Sequence, residues 1–263
     1  MTDSPNKGVG QKRIILSYDT KSLFEGNPDQ GALVLPIMFN PSLLNPAGYA
    51  EAERLSANTE RPIKIIFAGN CDPKAYDAKL LVDRYGLLSR HRLHMAVKQM
   101  FGDAIFVPSS FEHLLEAARS GELRDRFVWI DTSQFSVPMS AWLETLSMSQ
   151  YFFCAPGVAY PYCHNFNESI ACGCVPILQY DKWIFPRLAH AANCFAFDGL
   201  DDLCELVNGI FSGAHDARWS EMSRAIVGYH QTHLSFAFCM SQIQAFIDDP
   251  GRQEMTWIMA GKE

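Results

Sequence analysis

The stretch NESIACGCVPILQYDKWIFP (167–186) sets acidic residues, a glycine, two cysteines and two prolines into an apolar run. The run opens like a helix and closes like a buried strand. Its first carboxylate, Glu168, is expected in the first helical turn, where the macrodipole favours it by about 0.3–1 kcal/mol. At the carboxyl edge of a sheet, such a group accepts two hydroxyl hydrogen bonds from a ribose. The plainer alternative is a helix-start charge that binds nothing. Cys172 and Cys174 form C-x-C, Cys163 stands beside His164, and Cys154 lies upstream. Thiolate and imidazole are zinc ligands, yet the paired C-x2–4-C knuckles of a zinc site are missing. Cys154, Cys194 and Cys239 sit inside apolar runs, which fits reduced, buried thiols.

Other residues carry weaker signals. Arg90 and Arg92 have the planar fork that matches phosphate oxygens. Asn70 and Asp72 follow one apolar run, Asp131 a second, and Asp181 a third. Asp72 and Asp131 serve equally as turn or cap residues, and Asp201 and Asp202 are expected to cap a helix. Asp19, after IILSY, is a candidate acceptor-side base. His91, His94, His230 and His233 fall on helical stretches as surface or core residues. Trp183 either stacks on a ligand or packs under a loop. There is no G-x-S-x-G elbow, Walker loop or tight G-x-G-x-x-G, so hydrolase, NTPase and dehydrogenase chemistries fall away.

The elements that must position these groups alternate regularly after Arg61. Strands are expected at 63–69, 104–108, 126–131, 151–156, 175–179 and 194–197. Helices are expected at 88–101, 111–120, 139–148, 166–172 and 200–211, with a long terminal helix over 218–247 broken near Gly228. Continuous apolar strands separated by helices predict a doubly wound, mostly parallel, Rossmann-like α/β sheet. Ligands bind such sheets beyond the carboxyl ends of the strands. The division expected is a disordered 1–12, a short N-terminal region and linker at 13–61, the Rossmann-like domain at 62–247, and a tail at 248–263.

With 48% hydrophobic residues, a sizeable core is affordable to the chain, and the net charge of −7 gives no basic footprint for nucleic acid. No apolar stretch approaches the ~20 residues of a membrane helix, and no signal core follows the polar start. The expected location is cytoplasmic, with no membrane segment in this chain.

E-S-I-A-C-G-C-V-P-I with the following D-K-W and Pro resembles the signature of the exostosin-like glycosyltransferases. The register is carried by Glu168, Gly173, Cys174, Pro176, Asp181, Trp183 and Pro186. Upstream, SQYFFCAPG (149–157) is similar to the family's S-x-F-C-L-x-P-x-G at Phe153, Cys154, Pro156 and Gly157. RPIKIIFAGN (61–70) looks like its R-x-x-x-x-x-F-x-G strand, Arg90 with Leu93 like its R-x-x-L, and LVLPIMFNP (33–41) faintly like its V-x-I-P segment. The family often has Arg three residues before the Glu; here Asn165 stands there, with His164 beside it.

The resemblance implies the donor-binding C-terminal half of a GT-B glycosyltransferase. Such an enzyme moves a sugar from a nucleotide donor, for instance a UDP- or GDP-sugar, to a glycan or other hydroxyl acceptor. Inversion and metal independence are implied, no cofactor is, and no D-x-D triplet is present. On this analogy Glu168 grips the ribose, while backbone N–H groups at Gly157 and the next helix face the diphosphate. Arg90 or Arg92 neutralises phosphate; Asn70, Asn165, His164 and Asp181 line the site; Asp19 and His164 are the candidate catalytic groups. About 60 residues before Arg61 cannot build a second Rossmann-like domain. A partner domain or a second copy is therefore expected to complete the cleft. One alternative is a non-catalytic nucleotide-sugar-binding module or pseudoenzyme subunit. Another is a Cys/His metal protein built on residues 154, 163, 164, 172 and 174.

Overall fold

The computed structural model describes residues 12–17, 33–35, 41–44, 46–77, 79–158 and 160–259. The expected disordered start at 1–12 falls almost wholly outside them, and so does Asp19. The described strands are β1 (Arg13–Ser17), β2 (Leu33–Leu35), β3 (Ile63–Gly69), β4 (Ile105–Phe106), β5 (Phe127–Asp131), β6 (Ser149–Phe153), β7 (Val175–Leu178), β8 (Phe195–Ala196) and β9 (Glu254–Met259). The helices are α1 (Pro41–Leu44), α2 (Pro46–Ser56), α3 (Pro73–Tyr76), α4 (Lys79–Tyr85), α5 (Arg90–Phe101), α6 (Phe111–Ser120), α7 (Trp142–Ser147), α8 (His164–Ala171), α9 (Leu200–Phe211), α10 (Asp216–Tyr229) and α11 (Phe236–Asp248).

Strands β3 to β8 form one parallel sheet in the order β4-β5-β3-β6-β7-β8. Period-two alternation sends Ile65 and Phe67 of β3 to one face and Ile66 and Ala68 to the other. Helices α5 and α9 cover the first face, through Leu93, Val97, Leu203 and Val207. Helices α6, α7 and α8 cover the second, through Leu114, Leu146, Phe166 and Ile170. The sheet is doubly wound, as its apolar runs predict. One detail differs from the common 3-2-1-4-5-6 order: β5, not β4, lies beside β3. The chain leaves β3 for β4 past α5 on one face, and reaches β6 and β7 past α7 and α8 on the other. The change of face falls between β3 and β6, so their carboxyl ends flank the topological switch point.

Helix α2 lies across α7 and α8, burying Ala52 and Leu55. The expected terminal helix is interrupted at 230–235 rather than at Gly228. A π-helical turn, His230–Leu234, ends α10. Ser235 then takes extended dihedrals and its hydroxyl accepts from Phe238 N–H at 3.0 Å, capping α11. The segment expected as a tail carries β9, which pairs in parallel with β1 and β2 in a separate sheet. Phe246 of α11 and Met255 of β9 share a small core of their own.

Candidate functional site

Two side chains, Arg90 and Asn165, bridge the switch point. Arg90 opens α5 behind Ser89, whose hydroxyl accepts from Arg92 N–H at 3.2 Å. Its guanidinium donates to Pro156 O at 2.9 Å, Asn70 O at 3.1 Å and Ala155 O at 3.5 Å. The plane lies over Tyr76, 4.1 Å from the ring centroid. The fork thus ties the loop after β3 to the loop after β6, and Arg90 keeps 4% exposure. The structure gives this cation carbonyl partners in place of the expected phosphate. Asn165 adds a second tie, donating from Nδ2 to Ala68 O at 2.9 Å. Gly69 lets these groups crowd the strand end: a Cβ there would lie 3.2 Å from Arg90 Nη1, a tight contact.

Glu168 lies one turn further along α8. The helix starts at His164, two residues before the sequence suggests, behind an extended Cys163. Glu168 is therefore its fifth residue, beyond the first turn, and the macrodipole does not account for it. Nor does the carboxyl open onto a solvent-filled crevice; it is fully buried, where α8 packs against α7 and α2. Its Oε2 accepts from the indole N–H of Trp142 at 2.8 Å. Among the described residues, its Oε1 has no hydrogen-bond partner. Burial pushes the acid up to about 8, against a smaller lowering by the indole. An orphaned buried acceptor costs about 1–3 kcal/mol, so this oxygen calls for an explanation. Beside it on the helix, both polar atoms of the fully buried Asn167 also lack partners.

The other expected residues are spread around this region. His164 is exposed at the head of α8; surrounding protein, and then the Arg90 guanidinium, hold its pKa below the ordinary value. The N–H of Gly157 donates to Pro161 O at 3.1 Å, so it closes its own loop rather than offering itself to a diphosphate. A Cβ at Gly157 would meet Tyr160 O at 2.5 Å, which explains the glycine without a ligand. Arg92 points outward, with Nε 3.7 Å from Asp77. Asn70 accepts from Asp72 N–H at 2.8 Å, and Asp72 caps α3 through Lys74 N–H. Asp181 accepts from Arg187 Nε and Nη2 at 3.0 and 2.8 Å. Asp131 accepts from Cys71 N–H and from Ser133 N–H and Oγ–H. Asp201 and Asp202 sit in the first turn of α9 but do not cap it; Gly199 does so without a side chain. Trp183 packs edge-on against Tyr85, with centroids 4.9 Å apart.

Trp142 is the residue that sequence reading missed. It follows V-P-M-S-A at the head of α7, and nothing in the sequence pairs it with position 168.

Much of the signature stretch is architectural. Gly173 has φ +78°, and a Cβ there would come within 2.9 Å of Arg61 Nη2. Buried Arg61 donates to Ser149 O at 2.7 Å and Cys172 O at 2.8 Å, and its guanidinium lies 5.1 Å from the Trp219 ring centroid. Cys174 points its thiol at Leu146 O, 3.0 Å away. Cys154, Cys163, Cys172 and Cys174 are free thiols, all pushed up by burial. Among the described residues, no three His, Cys, Asp or Glu side chains gather as a metal site would require.

A concavity of about 810 Å³ lies at the opposite, amino end of the sheet, lined by Lys64, Arg124, Asp125, Gln150 and Asp216 among others. Lys64 and Asp216 pair with each other there. Among the described residues, no helix is long and apolar enough to cross a membrane.

No protein-family model matches the chain, and no curated protein does. Several solved structures are similar at low identity. A glycosyltransferase from Rickettsia africae is 13% identical, with 93% of this chain and 67% of that chain covered and a TM-score of 0.47. HepE from Anabaena, solved with UDP, is 12% identical over 77% of this chain and 53% of its own, with a TM-score of 0.40. Pneumococcal O-GlcNAc transferase GtfA, solved with UDP and GlcNAc, is 12% identical over 74% of this chain and 38% of its own, with a TM-score of 0.41. The chain thus spans about half of HepE in that structure, 71% of it in a second one solved with UDP and glucose, and less of GtfA.

Proposed function

We propose that the chain binds a nucleotide-sugar donor and works as the donor-binding part of a glycosyltransferase. One observation carries this: a fully buried carboxyl, one turn past the switch point, with one oxygen held by an indole and the other unpartnered. A buried acceptor without a protein partner in this part of a doubly wound sheet suits a ribose hydroxyl donor. The carboxyl is fully buried, so a ligand reaches it only by displacing an element packed on α8, such as α2. In this reading, a sugar passes from the nucleotide diphosphate to an acceptor hydroxyl with inversion, and no cofactor is assigned. The acceptor and its general base belong to a partner domain or second copy that completes the cleft, and the location assigned is cytoplasmic.

A second reading is a binding module without turnover. It is favoured by the engagement of the expected phosphate groups: Arg90 serves three carbonyls, Arg92 faces Asp77, and Gly157 N–H serves Pro161.

Calorimetry with UDP and GDP tests donor binding. The Glu168→Ala variant is expected to bind the preferred nucleotide about tenfold more weakly, the loss of one buried hydrogen bond. Undiminished binding refutes the assigned role. Release of free nucleotide from a panel of UDP- and GDP-sugars separates the transferase from the module.

A further inference from the structure

Trp142 begins α7, directly after the single turn Met139–Ala141. Its ring packs against the same core as Phe166 and Ile170 of α8. Its indole N–H, 2.8 Å from Oε2, is the hydrogen bond that the structure gives the Glu168 carboxyl. Indole donates and never accepts, so this contact holds for either protonation state of the acid and does not compete for a ligand's hydroxyl protons. It engages one oxygen only. An Arg in its place would bracket both oxygens bidentately and leave no acceptor for a ligand.

We propose that Trp142 is a positioning residue of the donor site: it pins Oε2 so that Oε1 is presented to the vicinal hydroxyls of the nucleotide ribose. This rests on the donor-site reading above. It adds that the ligand recognised at Glu168 is a diol, held by a carboxyl whose rotamer is set from α7.

The test pairs two variants with two ligands. Trp142→Phe keeps an aromatic ring and removes the N–H; Glu168→Gln keeps the side-chain shape and removes the carboxyl. Each is titrated calorimetrically with the nucleoside diphosphate and with its 2′,3′-dideoxy analogue. The wild-type protein is expected to prefer the ribonucleotide. Trp142→Phe should lose about tenfold in affinity for the ribonucleotide and leave the dideoxy analogue unchanged. A packing role alone would weaken both ligands alike. Trp142→His, which restores a ring N–H, should recover part of the discrimination. If Glu168→Gln abolishes the preference while Trp142→Phe weakens both ligands equally or neither, the positioning role is overturned and the donor site stands. If Glu168→Gln leaves the preference intact, the donor site itself falls, and the positioning role with it. Should Trp142→Phe fail to fold, Trp142→His with the same two ligands decides.

Discussion

A buried polar atom is informative through the partner it has or lacks. Arg90 and Glu168 both lie near the switch point and both belong to the stretches that resemble a glycosyltransferase, yet their situations are opposite. Arg90 is saturated by carbonyls from two loops, and its bond geometry matches a structural clasp. Replacing it with Lys removes the fork and leaves carbonyls unserved. Arg90→Lys is expected to cost about 2–4 kcal/mol in urea unfolding. Its nucleotide affinity should change only as far as the fold loosens. Unchanged stability with a selective loss of nucleotide affinity would return Arg90 to the phosphate role. Glu168 keeps an oxygen with nothing to bind, which is costly unless something else uses it.

Residue types were legible in the sequence; their partners were not. Glu168 stood out from its place between a strand and a helix. The indole that holds it lies on the preceding crossover, and no spacing links the two. The planar fork of Arg90 is legible in the sequence, but backbone carbonyls accept from a fork as well as phosphate does. Gly157, expected to face a diphosphate, is required by the close approach of Tyr160 O, and Gly173 of the signature stretch is required by its positive φ and by Arg61.

At the scale of elements, the strands of the main sheet fell where the apolar runs put them, because a strand buried on both faces must read as a continuous apolar stretch. Helices α6 and α9 match the expected 111–120 and 200–211. The start of α8 was misplaced because no side-chain cap marks it: Cys163 supplies only extended dihedrals. The break before α11 was put at Gly228, the obvious weak point, whereas the chain breaks where Ser235 can cap a new helix. Strand β9 was invisible for another reason. EMTWIM is a short strip with no local partner, and it becomes a strand by pairing with RIILS at the other end of the chain. The insertion of β5 between β3 and β4 is equally a long-range choice that no local pattern encodes.

For the whole molecule, the buried titratable groups set how stability depends on pH. Glu168 holds its proton up to about 8 in the folded chain, but releases it near roughly 4.3 when unfolded. The folded state therefore binds more protons between those values, and this group lowers stability as pH rises through them. His94 and His230 behave oppositely. Burial first of all pushes each down to about 4, whereas the unfolded imidazole titrates near roughly 6.5. They lower stability as pH falls from there. His94 and His230 together outweigh Glu168 on the acid side and Glu168 outweighs them above it, so these three groups place a maximum near roughly pH 6.5. From there to pH 8, wild-type stability should fall by about 2 kcal/mol, a limb that Glu168→Gln removes. Parallel profiles for the two proteins in urea unfolding at stepped pH would show that the acid is not held protonated by the fold.

The reading of the whole chain as a donor-binding unit turns on where a nucleotide sits. The most direct measurement is a crystal structure of the full chain with bound UDP or GDP, whichever calorimetry prefers. The account predicts a ribose hydroxyl within hydrogen-bonding distance of Glu168 Oε1, the indole of Trp142 still on Oε2, and the covering segment displaced. A nucleotide lodged in the concavity at the amino end of the sheet, with Glu168 still sealed, would contradict it.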